Sequence, residues 1–187
     1  MKAAALALML LGLGLGLGAG PGATRADQKD PRLNLLFAQL RTADAVEARA
    51  IEEQIWAIWG ETSNPQARTL LEVGSVAMAN RDHRTARAAF DALVALAPDF
   101  AEGWNKRATL FWLLGEDVAS VRDIQRTLAL EPRHFGALSG LGLILMGRGE
   151  DRRALEAFEA ALAIHPTLPG ARQHAERLRR ERSGAPL

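Results

Sequence analysis

Four histidines, His83, His134, His165 and His174, are the side chains of this sequence best suited to holding a metal or moving a proton. They are isolated: no H-E-x-x-H spacing brings two of them onto one helix face. There is no cysteine, which removes thiol nucleophiles, Fe–S clusters, cysteine-ligated zinc and disulfides. Ser139 lies in Gly136-Ala137-Leu138-Ser139-Gly140, one residue out of register for a G-x-S-x-G nucleophile turn, and no strand pattern precedes it. Gly140 and Gly142 lack the third glycine and the preceding strand of a dinucleotide loop. The carboxylate pairs Glu52-Glu53 and Glu116-Asp117 are sequence neighbours at positions open to water. No acid, base and nucleophile converge, so the expectation is a protein that is not an enzyme and uses no cofactor and no metal.

The elements that must position anything else are helices. Of 187 residues, 48% are hydrophobic and 24% charged, a balance that supports a buried core. The chain is rich in Ala and Leu and has no Tyr, which favours helix over sheet. Lys and Arg number 23 against 22 Asp and Glu, a formal net charge of +1. No whole-molecule basic field for nucleic acid follows from that.

The first residues read as an address. Met1-Lys2 is followed by an uncharged run, Ala3 to Gly20, then small residues ending at Ala26. That order is a secretory signal peptide, 1–26, cut after Ala26, with Ala23 as the second choice. The competing reading is a retained membrane anchor, since about 20 apolar residues span a bilayer. Glycines alternating with leucines from Leu11 to Gly18 weaken such a helix. Loss of Lys2 and Arg25 with the leader takes the net charge from +1 to −1. A thiol-free exported chain fits the periplasm.

Beyond the leader the chain repeats itself. Pro98, Pro132 and Pro166 are 34 residues apart. The same step aligns Gly74, Ala108 and Gly142 in a small column, and Phe90, Ile124 and Phe158 in a large one. Leu70, Trp104 and Leu138 form a further apolar column, and Ala86, Ser120 and Ala154 a further small one. Leu138, Leu141-Gly142, Leu145, Ala154, Phe158 and Pro166 resemble the 34-residue tetratricopeptide repeat. The resemblance implies an all-α, right-handed solenoid of helix pairs with units 67–100, 101–134 and 135–168. The middle unit departs from the pattern, with Arg107-Ala108 for Leu-Gly and Ser120 for Ala.

Local chemistry sets the helix boundaries. Asn64-Pro65, Asp82, Asp99 and Glu116 or Asp117 open helices; Asn80, Gly115 and Gly149 close or separate them. Asp30-Pro31 and the capping box Asp44-Ala45-Val46-Glu47 announce a helical pair over 31–60. That pair, within segment 27–66, is expected to cap the first unit or to be a degenerate repeat. Leu168, Ala171, Ala175 and Leu178 mark a capping helix in 169–187. The cluster Arg172, Arg177, Arg179, Arg180 and Arg182 reads first as a solvated face, and otherwise as a surface for anionic headgroups or an acidic partner.

In arrays of this family the first helix of each pair lines a concave surface that binds peptides or partner helices. The resemblance therefore places Met78, Asn105, Thr109, Trp112, Ser139, Leu143 and Met146 on the groove floor and Arg68, Glu102 and Lys106 at its rim. Trp and Met suit an adaptable apolar anchor site. The partner expected is a protein or peptide, not nucleic acid, with membrane contact not favoured. The function expected is a periplasmic scaffold or assembly factor for the cell envelope. An open repeat end is also a surface that a second copy can cap.

Overall fold

The computed structural model describes residues 28–183; the leader 1–26 and the end of the tail lie outside the described residues. Among the described residues the chain forms nine helices and no strand. They are α1 (Arg32–Leu40), α2 (Ala45–Gly60), α3 (Pro65–Ala79), α4 (His83–Leu96), α5 (Ala101–Leu113), α6 (Asp117–Leu130), α7 (Phe135–Gly147), α8 (Asp151–Ile164) and α9 (Pro169–Ser183). Helices α3/α4, α5/α6 and α7/α8 pair as hairpins, and α4 on α5, α6 on α7 and α8 on α9 stack the pairs in order. This is the all-α repeat the 34-residue columns predict, with α9 as its C-terminal cap.

The starts and stops follow from side-chain oxygens and left-handed turns. Asn64 Oδ1 accepts from the N–H groups of Gln66 and Ala67, Asp82 from Thr85, and Asp44 from Val46 and Glu47. Each such cap stabilises by about 1 kcal/mol. The hairpin turns put Gly115 at φ 74° and Gly149 at φ 71°. The 34-residue equivalent of both is Arg81, at φ 60°. A side chain there strains the backbone, yet the turn closes identically. Asp82, Glu116 and Glu150 donate their N–H groups to Ala77, Phe111 and Leu145 oxygens at 2.8, 2.8 and 2.9 Å, the six-to-one bond of a Schellman turn.

Packing between paired helices explains the columns. A Cβ on Gly74 would sit 2.4 Å from the Phe90 ring, and one on Gly142 would sit 2.6 Å from Phe158. The middle unit replaces both partners together. Ile124 stands where the ring would be, Ala108 where the glycine would be, and Ser120 Oγ donates to Ala108 O at 2.8 Å. Arg107 is matched in the same way: its guanidinium donates to Asp123 at 2.6 and 3.0 Å and to Asp91 at 2.9 Å. The equivalents of Asp123 in the outer units are Ala89 and Ala157.

Two expectations change. Asp99 is not the cap of α5; Phe100 holds the N-cap position and makes no side-chain capping bond. The buried Gln28 does the work, accepting from Ala101 N–H at 3.3 Å and donating to Asp99 O at 2.6 Å. The pair α1–α2 forms as expected but does not lie along α3. It crosses to the third unit, where its core residues join one cluster with those of α7, α8 and α9. The physical reason is the shape of α2, whose end carries Trp56 and Trp59. The recess that takes Trp56 is at Gly136, where a Cβ would stand 2.6 Å from the ring.

The Gly142→Ala variant is expected to lose about 1–3 kcal/mol through overpacking against Phe158. Arg81→Gly is expected to gain about 1 kcal/mol by relieving the left-handed residue. Urea midpoints of the two variants, shifted in opposite directions, check both.

Candidate partner-binding groove

Helix α2 reaches the groove because aromatic rings hold its end. Trp59 stacks on His134 with centroids 4.1 Å apart and planes within 8°. Trp56 meets Trp59, His134 and Phe135 edge-on at 5.2, 5.3 and 5.5 Å. Such pairs contribute about 0.5–1.5 kcal/mol each beyond the area they bury. One turn earlier in α2, Glu52 accepts from Trp56 Nε1 at 3.1 Å and lies 3.2 Å from His165 Nε2. From α1, Asn34 accepts from Arg133, whose guanidinium lies 4.4 Å from the centre of the Phe37 ring.

Beneath the stack lies a buried polar network. The Ala137 N–H donates to His134 Nδ1 at 3.1 Å. A lone pair is therefore on Nδ1, and the proton sits on Nε2, which donates to Glu102 Oε2 at 3.1 Å. Asn105 Nδ2 donates to the same oxygen at 3.0 Å, and Lys106 Nζ is 3.3 Å from Oε1. Burial pushes the Glu102 carboxyl up. The bonds from His134 and Asn105 and the charge of Lys106 outweigh that, and it ends below its ordinary value of 4.5. The His165 bond lowers Glu52 in the same way, against a smaller burial effect.

Between α2, α5, α6 and α7 remains an open cavity of about 250 Å³. Of the residues expected on the groove floor, Asn105, Thr109, Trp112, Ser139 and Leu143 line it, with Trp56, Ile124, Phe135 and Ile144. Its polar groups are mostly engaged within the protein. Asn105 serves Glu102, Thr109 Oγ1 donates to Asn105 O, and Ser120 donates to Ala108 O. The walls are consequently apolar, and Trp112, 43% exposed, stands at the mouth.

The other expected residues lie elsewhere. Met78 packs against the first unit's core, and Met146 sits under Arg177, whose Nη2 is 2.6 Å from its sulfur. Arg68 is exposed beside the α2–α3 turn and donates to Thr62 O. Lys106 is half-buried against Glu102. Glu102 is not at the rim: it is 2% exposed, because three donors hold its carboxylate inward. His134 and His165, isolated in sequence, each face a glutamate. Among the described residues no group of three His, Asp or Glu is arranged to hold a metal ion. The C-terminal arginines are partly paired, Arg177 with Glu181 and Arg179 with Glu159.

Sequence reasoning missed the wall that α2 provides, Glu52 and Trp56. The signals were there: two tryptophans on a flanking helix, and Gly136, which belongs to neither small column of the repeat.

Truncating Trp59→Ala is expected to cost about 3–5 kcal/mol and to strip hydrogen-exchange protection from α1–α2. Trp59→Phe is expected to cost far less, because Trp59 Nε1 is buried without an acceptor and the variant removes that unmet donor. The lowered carboxyls of Glu102 and Glu52 stabilise the fold fully above about 4.5. That stabilisation is lost as pH falls through their lower native values. Urea midpoints measured from neutral to acid pH should fall in that window, and less steeply in Glu102→Gln.

Comparison with known proteins agrees with the geometry. The family model for the tetratricopeptide repeat matches residues 71–121 and 119–169. A TPR repeat-containing protein of Rhizobium etli is 36% identical over 154 residues, covering 82% of this chain and 76% of that protein. The crystal structure of MamA superposes with a TM-score of 0.59 at 27% identity, over 63% of this chain and 68% of that one. The first TPR domain of Spaghetti (RPAP3), bound to an HSP90 peptide, gives 0.60 at 17% identity, over 63% and 94%. From its 34-residue columns to its stacked hairpins, the chain belongs to the tetratricopeptide repeat family.

Proposed function

We propose that this protein is a binding scaffold that grips a peptide or partner helix by an apolar side chain inserted in the α2–α5–α7 cavity. Tetratricopeptide arrays are protein–protein interaction scaffolds. The observation that carries the finer reading is the gathering of Trp112, Thr109, Ser139 and Leu143 around one apolar opening. A cavity of about 250 Å³ falls just below the ~300–1,000 Å³ of small-molecule sites, which suits a side chain better than a metabolite. The HSP90 peptide on RPAP3 is a precedent for peptide capture by this fold. A C-terminal carboxylate is a poor ligand here, because no lysine or arginine lines the cavity, and Asn105 and the nearby Lys106 are tied to Glu102. No acid–base–nucleophile set converges at the cavity, so the reading is binding and not catalysis.

The same proposal places the protein in the periplasm, supporting envelope assembly. Its support is the order of charge, apolar run and small residues before Asp27. The alternative is a membrane-anchored envelope component that keeps the apolar segment. Among the described residues no helix is long and apolar enough to cross a membrane.

A peptide-display screen on the purified protein tests the groove. Enriched sequences are expected to share one large apolar residue. Trp112→Ala is expected to weaken their binding about 30-fold or more, the loss of an interface anchor, with the helical circular dichroism unchanged. Equal binding by a folded Trp112→Ala/Leu143→Ala variant would sink the groove reading. Intact mass of the exported protein tests the address: a chain starting at Asp27 or Thr24 supports export with cleavage, and one starting at Met1 supports the anchor.

A further inference from the structure

The solenoid is finished at one end and unfinished at the other. Each unit meets its predecessor through one stripe of its first helix. In α7 that stripe is Ala137, Leu141 and Ile144, packed on Val121, Ile124 and Leu128 of α6. In α5 it is Gly103, Arg107 and Leu110, with Gly103 against Leu93 and Arg107 bonded to Asp91 of α4. The 34-residue step carries the stripe to Thr69, Val73 and Val76 of α3. Leu110 and Ile144 are 0% and 2% exposed, but their equivalent Val76 is 55% exposed, and Val73 is 43% exposed. The α1–α2 pair, which would cover this stripe as a preceding unit, is docked on the third unit instead.

We infer that this stripe of α3 is an isologous docking surface for a second copy of the chain. Three observations select that occupant. The stripe is self-complementary: an antiparallel α3 related by a two-fold axis between Gly74 and Ser75 sets Val73 over the partner's Val76. The same axis sets Thr69 over the partner's Asn80. Gln66, Thr69, Val73, Val76 and Asn80 carry no charge, so identical faces meet without repulsion. Head-to-tail stacking is disfavoured, since the far end is closed by α9, whose exposed Arg172, Glu176, Arg179 and Arg180 would have to be buried against valines. The assembly therefore closes at two copies. A single helix face is smaller than a standard interface, so the dimer forms and dissociates with concentration.

Sedimentation of the purified protein across a micromolar-to-millimolar series reads the mass directly. The expected result is a rise from one copy to two in the wild type. Val73→Glu/Val76→Glu is expected to stay at one copy throughout, with unchanged helical circular dichroism. The chain has no cysteine, so position can be read as well. On mild oxidation, a mixture of Val73→Cys and Val76→Cys proteins is expected to form linked dimers faster than either variant alone, because the two-fold opposes these residues to each other. A wild type that remains at one copy to the highest concentration overturns the inference. So does a dimer that survives Val73→Glu/Val76→Glu, or cysteine linkage no faster in the mixture.

Discussion

One buried contact organises the molecule: Trp59 lying flat on His134, with His134 held edge-down on Glu102. The carboxylate is out of water and tolerable only because an imidazole, an amide and an ammonium face it. The imidazole ring is thereby fixed in tautomer and angle, and it also caps α7 through Nδ1. The flat ring then offers α2 a surface on which an indole stacks. From this follow the course of the N-terminal pair, the wall of the cavity, and the bare stripe left on α3. A charge placed in the second unit thus decides where a helix from the far end of the chain comes to rest.

The repeat was legible because its physics is local. Gly74 and Gly142 must be small where Phe90 and Phe158 cross them, and hairpin turns need a left-handed residue every 34 positions. Spacing in the sequence reports both directly. The departures of the middle unit were legible as departures, but not as matched changes. That Ala108 answers Ile124, and that Asp123 answers Arg107, appears only when the two helices face each other.

The groove was legible by half. Asn105, Thr109, Trp112, Ser139 and Leu143 share a face that helical periodicity finds, and they do line one cavity. Glu102 lies on the same helix and looked equally available, since nothing near it in sequence shows that three donors, from Asn105, Lys106 and His134, converge on its carboxylate. The wall from α2 was hidden for a different reason. Contacts between Glu52 and His165 join residues 113 apart, and no periodicity in a single sequence spans that distance. Where Trp56 and Trp59 would dock depended on the recess at Gly136, which only the folded chain reveals.

The crossing of α1–α2 to the third unit changes how the chain comes apart. A plain array couples only neighbours, so its ends fray separately and folding can begin anywhere along it. Here bonds from Asn34 to Arg133 and from Glu52 to His165 tie residues 99 and 113 apart in sequence. The linear ladder becomes a closed ring, with higher contact order and a larger entropy of closure to overcome before the last contacts form. Such a ring folds more slowly than an open ladder of the same length, and melts more nearly as one unit.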